Sequence, residues 1–322
     1  MDYSTNVTYL LLTGHVELEK YRSLYFLITF TLYLLIICCN ALVIFIIYTD
    51  KSLHEPMYIF IAALLCNAVI GSTALYPKLL SDLLSEIQIV SYGACTFQSY
   101  FIYTYGLSEF TLLSAMAYDR YVSICKPLQY STIIKTTTVK KLLFCCWFVP
   151  CCENGIALTL TYQIKLCKFK LNRIYCNNNA LVKLSCEDIT VRNSYGLFVL
   201  GVGVFPPLFF VFFSYIRIIY VCLKNSKDFR RKALQTCLPH LIVFISFTVT
   251  SLFEVVNSRL ELNVPHIFIM IMSVENLVIP PLINPIIYGL KLREIFKRIK
   301  KYLWNRKIQD AFKNTPAVIQ HL

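Results

Sequence analysis

The sequence predicts an all-α membrane protein, a seven-transmembrane helix bundle with a short amphipathic cytoplasmic helix. Three observations predict it. Of 322 residues, 57% are apolar and only 15% charged, with a mean hydropathy of +0.59; a soluble chain is nearer half apolar and a quarter charged. Seven windows are long and apolar enough to cross the hydrocarbon core, which takes about 20 residues of helix. Lys and Arg gather in alternate connections between these windows, the pattern of membrane topology. The same numbers exclude disorder and, with 9 Gly and 12 Pro, a collagen-like chain. In a soluble protein the net charge of +13 would suggest nucleic acid. Between apolar spans it reads as orientation, so no nucleic-acid partner is expected.

In chain order, windows 24–48 and 56–77 carry no charge. Window 94–118 carries Glu109, 142–164 carries Glu153, and 193–216 carries none. Window 233–253 holds only His240, and 262–290 holds His266 and Glu275. All are expected as helices, because in lipid every backbone N–H and C=O must be satisfied within the element or in a closed barrel. Barrel strands would be shorter and alternating. The expected organisation is an extracellular N-terminus at 1–23, one seven-helix domain at 24–290, and a cytoplasmic amphipathic helix and tail at 291–322. The polar first 23 residues lack the pattern of a cleavable signal peptide. Loops 49–55, 118–141 and 217–232 and the tail together carry 21 of the 31 Lys/Arg. The positive-inside rule therefore places them in the cytoplasm and the N-terminus outside.

Four cysteines fall on the expected outer side: Cys95, Cys167, Cys176 and Cys186. An even number suits disulfide pairing in an oxidising compartment, and spacing alone leaves three connectivities open. The other ten read as small buried hydrophobes. No His/Cys cluster suggests a metal, and no cofactor is implied. Asn6-Val7-Thr8 is a glycosylation sequon on the same outer side. In the last segment Leu292, Ile295, Phe296, Ile299 and Leu303 recur at helical spacing among Lys297, Arg298, Lys300 and Lys301. That is an interfacial helix against anionic membrane lipids. No Cys follows Cys237, which excludes palmitoylation of the tail.

Charge inside a span is costly and by default marks function. Glu109 lies mid-span in the third helix, as either a cation site or a protonated structural acid, with Ser108, Ser114, Ser72 and Asn284 as candidate donors. Asp119-Arg120-Tyr121 ends the same helix, either as a snorkelling anchor or as a switch in which Arg120 pairs with Asp119 in one state. Asn284-Pro285-Ile286-Ile287-Tyr288 closes the seventh helix, where Pro285 permits a kink and Asn284 can satisfy the freed carbonyl.

The run from Met116 to Leu128, containing Asp119-Arg120-Tyr121, resembles the signature of vertebrate olfactory receptors, a branch of the rhodopsin-like G-protein-coupled receptors. Pro56-Met57-Tyr58, Lys232-Ala233-Leu234-Gln235-Thr236-Cys237-Leu238-Pro239-His240-Leu241 and Pro280 through Gly289 agree with it in order. The Leu-Pro-His form and the Tyr-Gly ending look most like fish-type members. The resemblance implies a receptor, not an enzyme, gated by a small-molecule odorant. It would activate a heterotrimeric G protein of the stimulatory olfactory type in the plasma membrane of sensory cilia. It also implies bridges Cys95–Cys176 and Cys167–Cys186. Asp119, Arg120, Tyr121, Tyr215, His240, Asn284, Pro285 and Tyr288 would form the coupling switch, with His240 as either a packing residue near Arg120 or a pH sensor. Ile102, Tyr103, Gly106, Leu107, Val199, Gly203, Ser251 and Val255 would line the pocket. Two departures stand out: Ala68, after Asn67, replaces the usual mid-helix Asp of the second helix, and Arg230 and Arg231 stand where an acid often holds Arg120. Alternatives are a non-sensory receptor of the same fold for a lipid or peptide, and a transporter or channel. The last predicts internal repeats and broken helices that the sequence lacks.

Overall fold

The protein is described by a computed structural model covering residues 9–14, 21–260, 266–291, 295–298 and 300. Strand β1 (Tyr9–Leu12) is followed by α1 (Arg22–Thr49), α2 (Pro56–Leu84), β2 (Ile89–Ser91) and α3 (Tyr92–Cys125). Next come α4 (Tyr130–Ile133), α5 (Thr136–Tyr162), β3 (Lys170–Leu171) and α6 (Asn178–Val182). Helices α7 (Thr190–Val199) and α8 (Phe205–Lys224) form one rod through a π-helical turn at Leu200–Val204. Helices α9 (Lys227–Leu260) and α10 (His266–Lys291) complete the bundle. The seven long elements are therefore α1, α2, α3, α5, the α7–α8 rod, α9 and α10. Among the described residues, five helical stretches, in α1, α2, α5, the rod and α9, are long and apolar enough to cross a membrane.

Helix α3 is more polar because it is the centre. It packs on α2, α5, α8 and α9, so its Gln98, Ser99, Thr104, Ser108, Glu109 and Asp119 are buried against protein and not lipid. Its start is capped by Ser91, whose Oγ accepts from the Ala94 amide at 3.2 Å. Pro56 opens α2, where its missing N–H costs nothing.

Prolines inside the helices strip the carbonyl four residues earlier of its partner. Polar side chains from neighbouring helices take three of those carbonyls. Pro150 frees Cys146, which accepts from Thr111 Oγ1 of α3 at 3.0 Å. Pro280 frees Asn276, which accepts from Tyr105 Oη at 3.0 Å. Pro285 frees Pro281, which accepts from Asn40 Nδ2 of α1 at 2.8 Å. With no water in a bilayer core these bonds are obligatory, and they lock α1, α3, α5 and α10 together. Asn284, expected to serve the freed carbonyl, bonds elsewhere.

At one end of the bundle lies a three-stranded sheet of order β2-β1-β3, which the sequence reading does not foresee. β1 pairs antiparallel with β2 (Leu10 opposite Val90) and parallel with β3 (Leu12 opposite Leu171). Leu10 and Leu12 point inward by the two-residue period of a strand, onto Val90, Cys95, Leu171, Cys176 and Leu181. Gly14 then runs so close to the backbone of Arg173 that a Cβ would stand 2.5 Å from its carbonyl carbon. Cys95 is bonded to Cys176, and Cys167 to Cys186, in this same layer.

Asn6, Leu292, Leu303 and the rest of the expected tail helix lie outside the described residues, apart from 295–298 and 300. Ile295 is buried and Phe296 and Lys297 are exposed. Arg298 reaches Asp50 at 3.0 Å and the Ser52 hydroxyl at 3.0 Å.

Candidate functional site

Three places carry chemistry, and α3 passes through all of them. Nearest the sheet is a cavity of about 120 Å³. Helix α3 contributes Tyr103 and Leu107, α5 contributes Asn154, Ala157, Leu160 and Thr161, and α9 contributes Val255 and Arg259. The rod contributes residues at both ends of the wall, Arg192, Asn193, Tyr195 and Gly196 in α7 and then Val199, Leu200 and Val204, and α6 closes the top with Asn178, Asn179 and Val182. Polar groups cluster at the sheet end and apolar ones deeper. The roof is tied down by Tyr103 Oη donating to Asn177 Oδ1 at 3.2 Å and by Asn177 Nδ2 donating to Glu254 at 3.1 Å. Arg173 lies 3.6 Å from the same Glu254 carboxylate. Beneath the sheet, burial pushes the Tyr175 phenol well above its usual range.

Of the expected pocket residues, Tyr103, Leu107, Val199 and Val255 line this cavity. Ile102, Gly106, Gly203 and Ser251 do not. Ile102 packs into the hydrophobic core. Gly203 sits in the π turn facing Leu107 and Glu153, and the Ser251 hydroxyl accepts from Asn276 Nδ2 at 3.1 Å. The reading also missed the α5 and α6 walls. Their signal was the intramembrane Asn154 and the polar run Asn177-Asn178-Asn179.

Deeper, Glu109 is fully buried. Its Oε2 accepts from Asn67 Nδ2 at 2.9 Å, and its Oε1 accepts from Asn284 Nδ2 at 3.2 Å. Asn67 Nδ2 also reaches the Tyr105 carbonyl at 3.1 Å. Gly71 makes this possible: a Cβ there would stand 2.5 Å from the Tyr105 ring, so only glycine admits that ring between α2 and α3. Asn284 was an expected donor; Asn67 was not. Ser114 instead donates to the Phe110 and Pro207 carbonyls. Ser72 and Ser108 hydroxyls are buried without a partner among the described residues.

At the far end, Arg120 is held by its own neighbour, with Nη2 2.5 Å from Asp119 Oδ2. Tyr130 of α4 donates to the other Asp119 oxygen at 2.7 Å. Burial, and then this bond to a carboxylate, raise the Tyr130 phenol's pKa. Tyr121 packs against the core. His240 is buried between α3 and α8. Its Nε2 is 2.9 Å from the Leu113 carbonyl, which can only accept, so Nε2 carries the proton. Nδ1 then accepts from Tyr215 Oη at 2.5 Å. Both ring nitrogens are used, so His240 ties α3, α8 and α9 together. Tyr288 is buried, and its hydroxyl has no partner among the described residues. Pro285 is buried beside Asn284.

The family profile described as olfactory receptor matches residues 29–306. The chain is 34% identical over 303 residues to olfactory receptor 6Y1 of Homo sapiens, covering 94% of this chain and 93% of that protein. It is 32% identical over 292 residues to human olfactory receptor 52A5, covering 86% and 89%. Human olfactory receptor 51E1 is similar at 32% over 305 residues, covering 92% and 93%.

Proposed function

The chain belongs to the olfactory receptor family, and from that premise we propose that the sheet-end cavity is its odorant site and the Arg120 end its coupling site. It is a multi-pass plasma-membrane receptor for odorants, not an enzyme, and the family signals through a heterotrimeric G protein. The observation that carries the assignment is continuity along α3. Tyr103 and Leu107 line the cavity, Glu109 joins α2 to α10, and Arg120 closes the far end.

In this reading the sheet end faces outward and the Lys/Arg-rich end faces the cytoplasm, in sensory cilia. An odorant shifts the balance of two states only through its different affinity for them. The resting state is the one in which Asp119 holds Arg120. Activation frees Arg120 to rearrange with Tyr215 and Tyr288 and admits a stimulatory G protein. Glu109 acts as a structural acid that joins two helices, each of its oxygens accepting from an amide of a different one.

The test is cAMP production in cells carrying a stimulatory olfactory-type G protein, screened with amino acids, bile salts and small volatiles. Arg120→Ala is expected to abolish the agonist response with surface expression retained. A normal response would overturn the coupling assignment.

A further inference from the structure

Beside the sheet-end cavity lies a second, smaller chamber of about 20 Å³ between α3, α5 and α6. The two spaces share Tyr103, Asn154, Ala157, Thr161 and Asn178 as lining. The smaller one has a polar wall: Thr96 and Ser99 from α3, Asn154 and Thr161 from α5, and Asn178 from α6. Among the described residues no carboxylate, ammonium or guanidinium group lines it. Amides and hydroxyls inside a helix bundle are costly unless each finds a partner.

The bonds that these side chains make show what is missing. Thr96 Oγ1 donates to the Tyr92 and Gly93 carbonyls at 3.1 and 2.9 Å. Thr161 Oγ1 donates to Asn178 Oδ1 at 2.7 Å. Both hydroxyl hydrogens are spent, so these two oxygens can only accept. Asn154 Nδ2 donates to the Pro150 carbonyl at 3.0 Å. That carbonyl can only accept, which fixes the amide's orientation and leaves Oδ1 as the free acceptor end. Asn178, with Oδ1 taken, keeps Nδ2 as a donor. Ser99 is 3% exposed, and its hydroxyl bonds no group among the described residues. The wall therefore offers donors from Ser99 and Asn178 and acceptors from Asn154, Thr96 and Thr161.

The occupant that matches this wall both donates and accepts, is neutral, and is small. A water needs about 10–15 Å³ of such space and two to four polar partners. A carbonyl or ether group could only accept, and would leave Asn154 Oδ1 bare. An ion of either sign would lack a counter-charge. Left dry, the chamber would strand Ser99 and Asn154, and cavities that stay dry are lined by apolar groups.

We propose that this chamber binds one water, and that the water fastens the α6 roof to α3 and α5. It accepts from Ser99 and Asn178 and donates to Asn154 and to a threonine oxygen. Ser99 does not line the larger cavity, but Asn154 and Asn178 do. Through the water Ser99 is therefore a positioning residue for two side chains of the larger cavity. The attachment adds to the Cys95–Cys176 bridge and to the Glu254 latch, where α9 meets Asn177 and Arg173. The water does not depend on what the larger cavity takes.

The experiment is an electron cryomicroscopy map of the full receptor in lipid nanodiscs, at a resolution that shows single waters. Hydrogen exchange of the α6 amides is measured beside it. Wild type is expected to show one compact peak within about 3.2 Å of both Ser99 Oγ and Asn154 Oδ1. Ser99→Ala removes one donor and takes no space, so the peak is expected to stay. Ser99→Val fills the chamber with methyl groups, so the peak is expected to vanish. The Leu181 and Lys183 amides, bonded to the Asn177 and Asn179 carbonyls, are then expected to lose protection. Amides of α3 around Glu109 are the control and are expected to hold theirs. If Ser99→Val does not fold, Ser99→Thr keeps the hydroxyl, adds one methyl to the same space and carries the same expectation. The wild-type map decides the water without any variant. A chamber without density, where other waters of the bundle are visible, would overturn the proposal. So would density longer than one atom, which would belong to part of a ligand or lipid. A peak lost in the valine variant with α6 exchange unchanged would overturn the fastening role.

Discussion

Where α2, α3 and α10 meet, a buried carboxylate carries an amide on each oxygen, and a tyrosine ring fills the space above a glycine. At the sheet ends of α5 and α7, no residue of α7 is buried, and two hydrogen bonds to backbone carbonyls hold the pair, Arg192 Nε to Leu160 and Tyr195 Oη to Glu153. The first region is a fixed joint. Its partners are specific, and removing one strands the others. The second is held by few and replaceable contacts, the mark of a region that opens locally at low cost. What sits above the second region compensates covalently: the sheet end is pinned by two bridges. Stability in this bundle therefore comes from polar satisfaction at its centre and from disulfides at its sheet end. This division can be broken experimentally.

The largest effect is expected from the bridges. Cys176→Ser removes the bond that closes the loop to Cys95, 81 residues away. Losing a native bridge costs about 2–5 kcal/mol in small secreted domains. Because α7 contributes so little packing of its own, the loss is expected to leave receptor trapped inside the cell. Surface labelling checks it. Wild-type surface levels would mean that the sheet and the Glu254 latch suffice without the bond.

The centre predicts a middle-sized effect with a chemical signature. Glu109→Leu leaves Asn67 and Asn284 without their acceptor, and each stranded buried amide costs about 1–3 kcal/mol. Glu109→Gln keeps the shape and offers a carbonyl to one amide, while the other can turn its own oxygen toward the new NH₂. Thermal unfolding in detergent is expected to fall sharply for Leu and little for Gln. If agonist potency in wild type varies with sodium and the Gln variant loses that dependence, the carboxylate holds an ion as well as the two amides. Equal sodium dependence in both leaves the structural acid alone.

The same comparison explains what the sequence made legible. Asp119-Arg120-Tyr121 and Asn284-Pro285 lie in contiguous motifs and could be placed by span, whereas Cys95, Cys167, Cys176 and Cys186 could be assigned only to one side of the bundle, their pairing coming from the resemblance. Glu109 stood out because charge in a span is expensive. Asn67 carried the same kind of signal but was read only as the neighbour of Ala68. Its role depends on a contact 42 residues away, which no spacing rule reveals. The sheet was hidden for a related reason. Tyr9–Leu12 is four residues long, and its partners lie at Ile89–Ser91 and Lys170–Leu171, so nothing local marks it as a strand. Of the eight pocket residues that the resemblance implied, Tyr103, Leu107, Val199 and Val255 line the cavity. The α5 wall and the α6 roof were missed because a loop's path over a bundle is set by its bridges and not by periodicity.

The smallest predicted effect probes the weak region alone. Asp188 sits just before α7 and is fully exposed. Its Oδ1 accepts from the Thr190 amide at 2.9 Å and the Thr190 hydroxyl at 2.6 Å, an Asx turn that starts the helix. The bond from the Thr190 side chain, and then the one from its backbone, hold the Asp188 carboxyl below its ordinary value. A depressed folded pKa means that the turn's contribution is present above the unfolded value and is lost as the pH falls through the folded one. Acid should therefore loosen the start of α7. Asp188 O also receives Arg192 Nη1 at 3.1 Å, so the loosening should reach Arg192, whose Nε donates to the Leu160 carbonyl of α5 at 3.0 Å. It should not reach Asn67 and Asn284, which lie beyond the cavity. Hydrogen exchange as a function of pH checks this. The Thr190 and Asn193 amides are expected to lose protection at acid pH in wild type. They are expected to show little pH dependence in Asp188→Asn, whose amide oxygen still accepts but does not titrate in this range. Amides of α2 and α3 around Asn67 and Glu109 should be unaffected in both. Equal acid sensitivity at the centre and at α7 would mean that the two regions open as one unit, and the contrast between a fixed joint and a loose wall would fail.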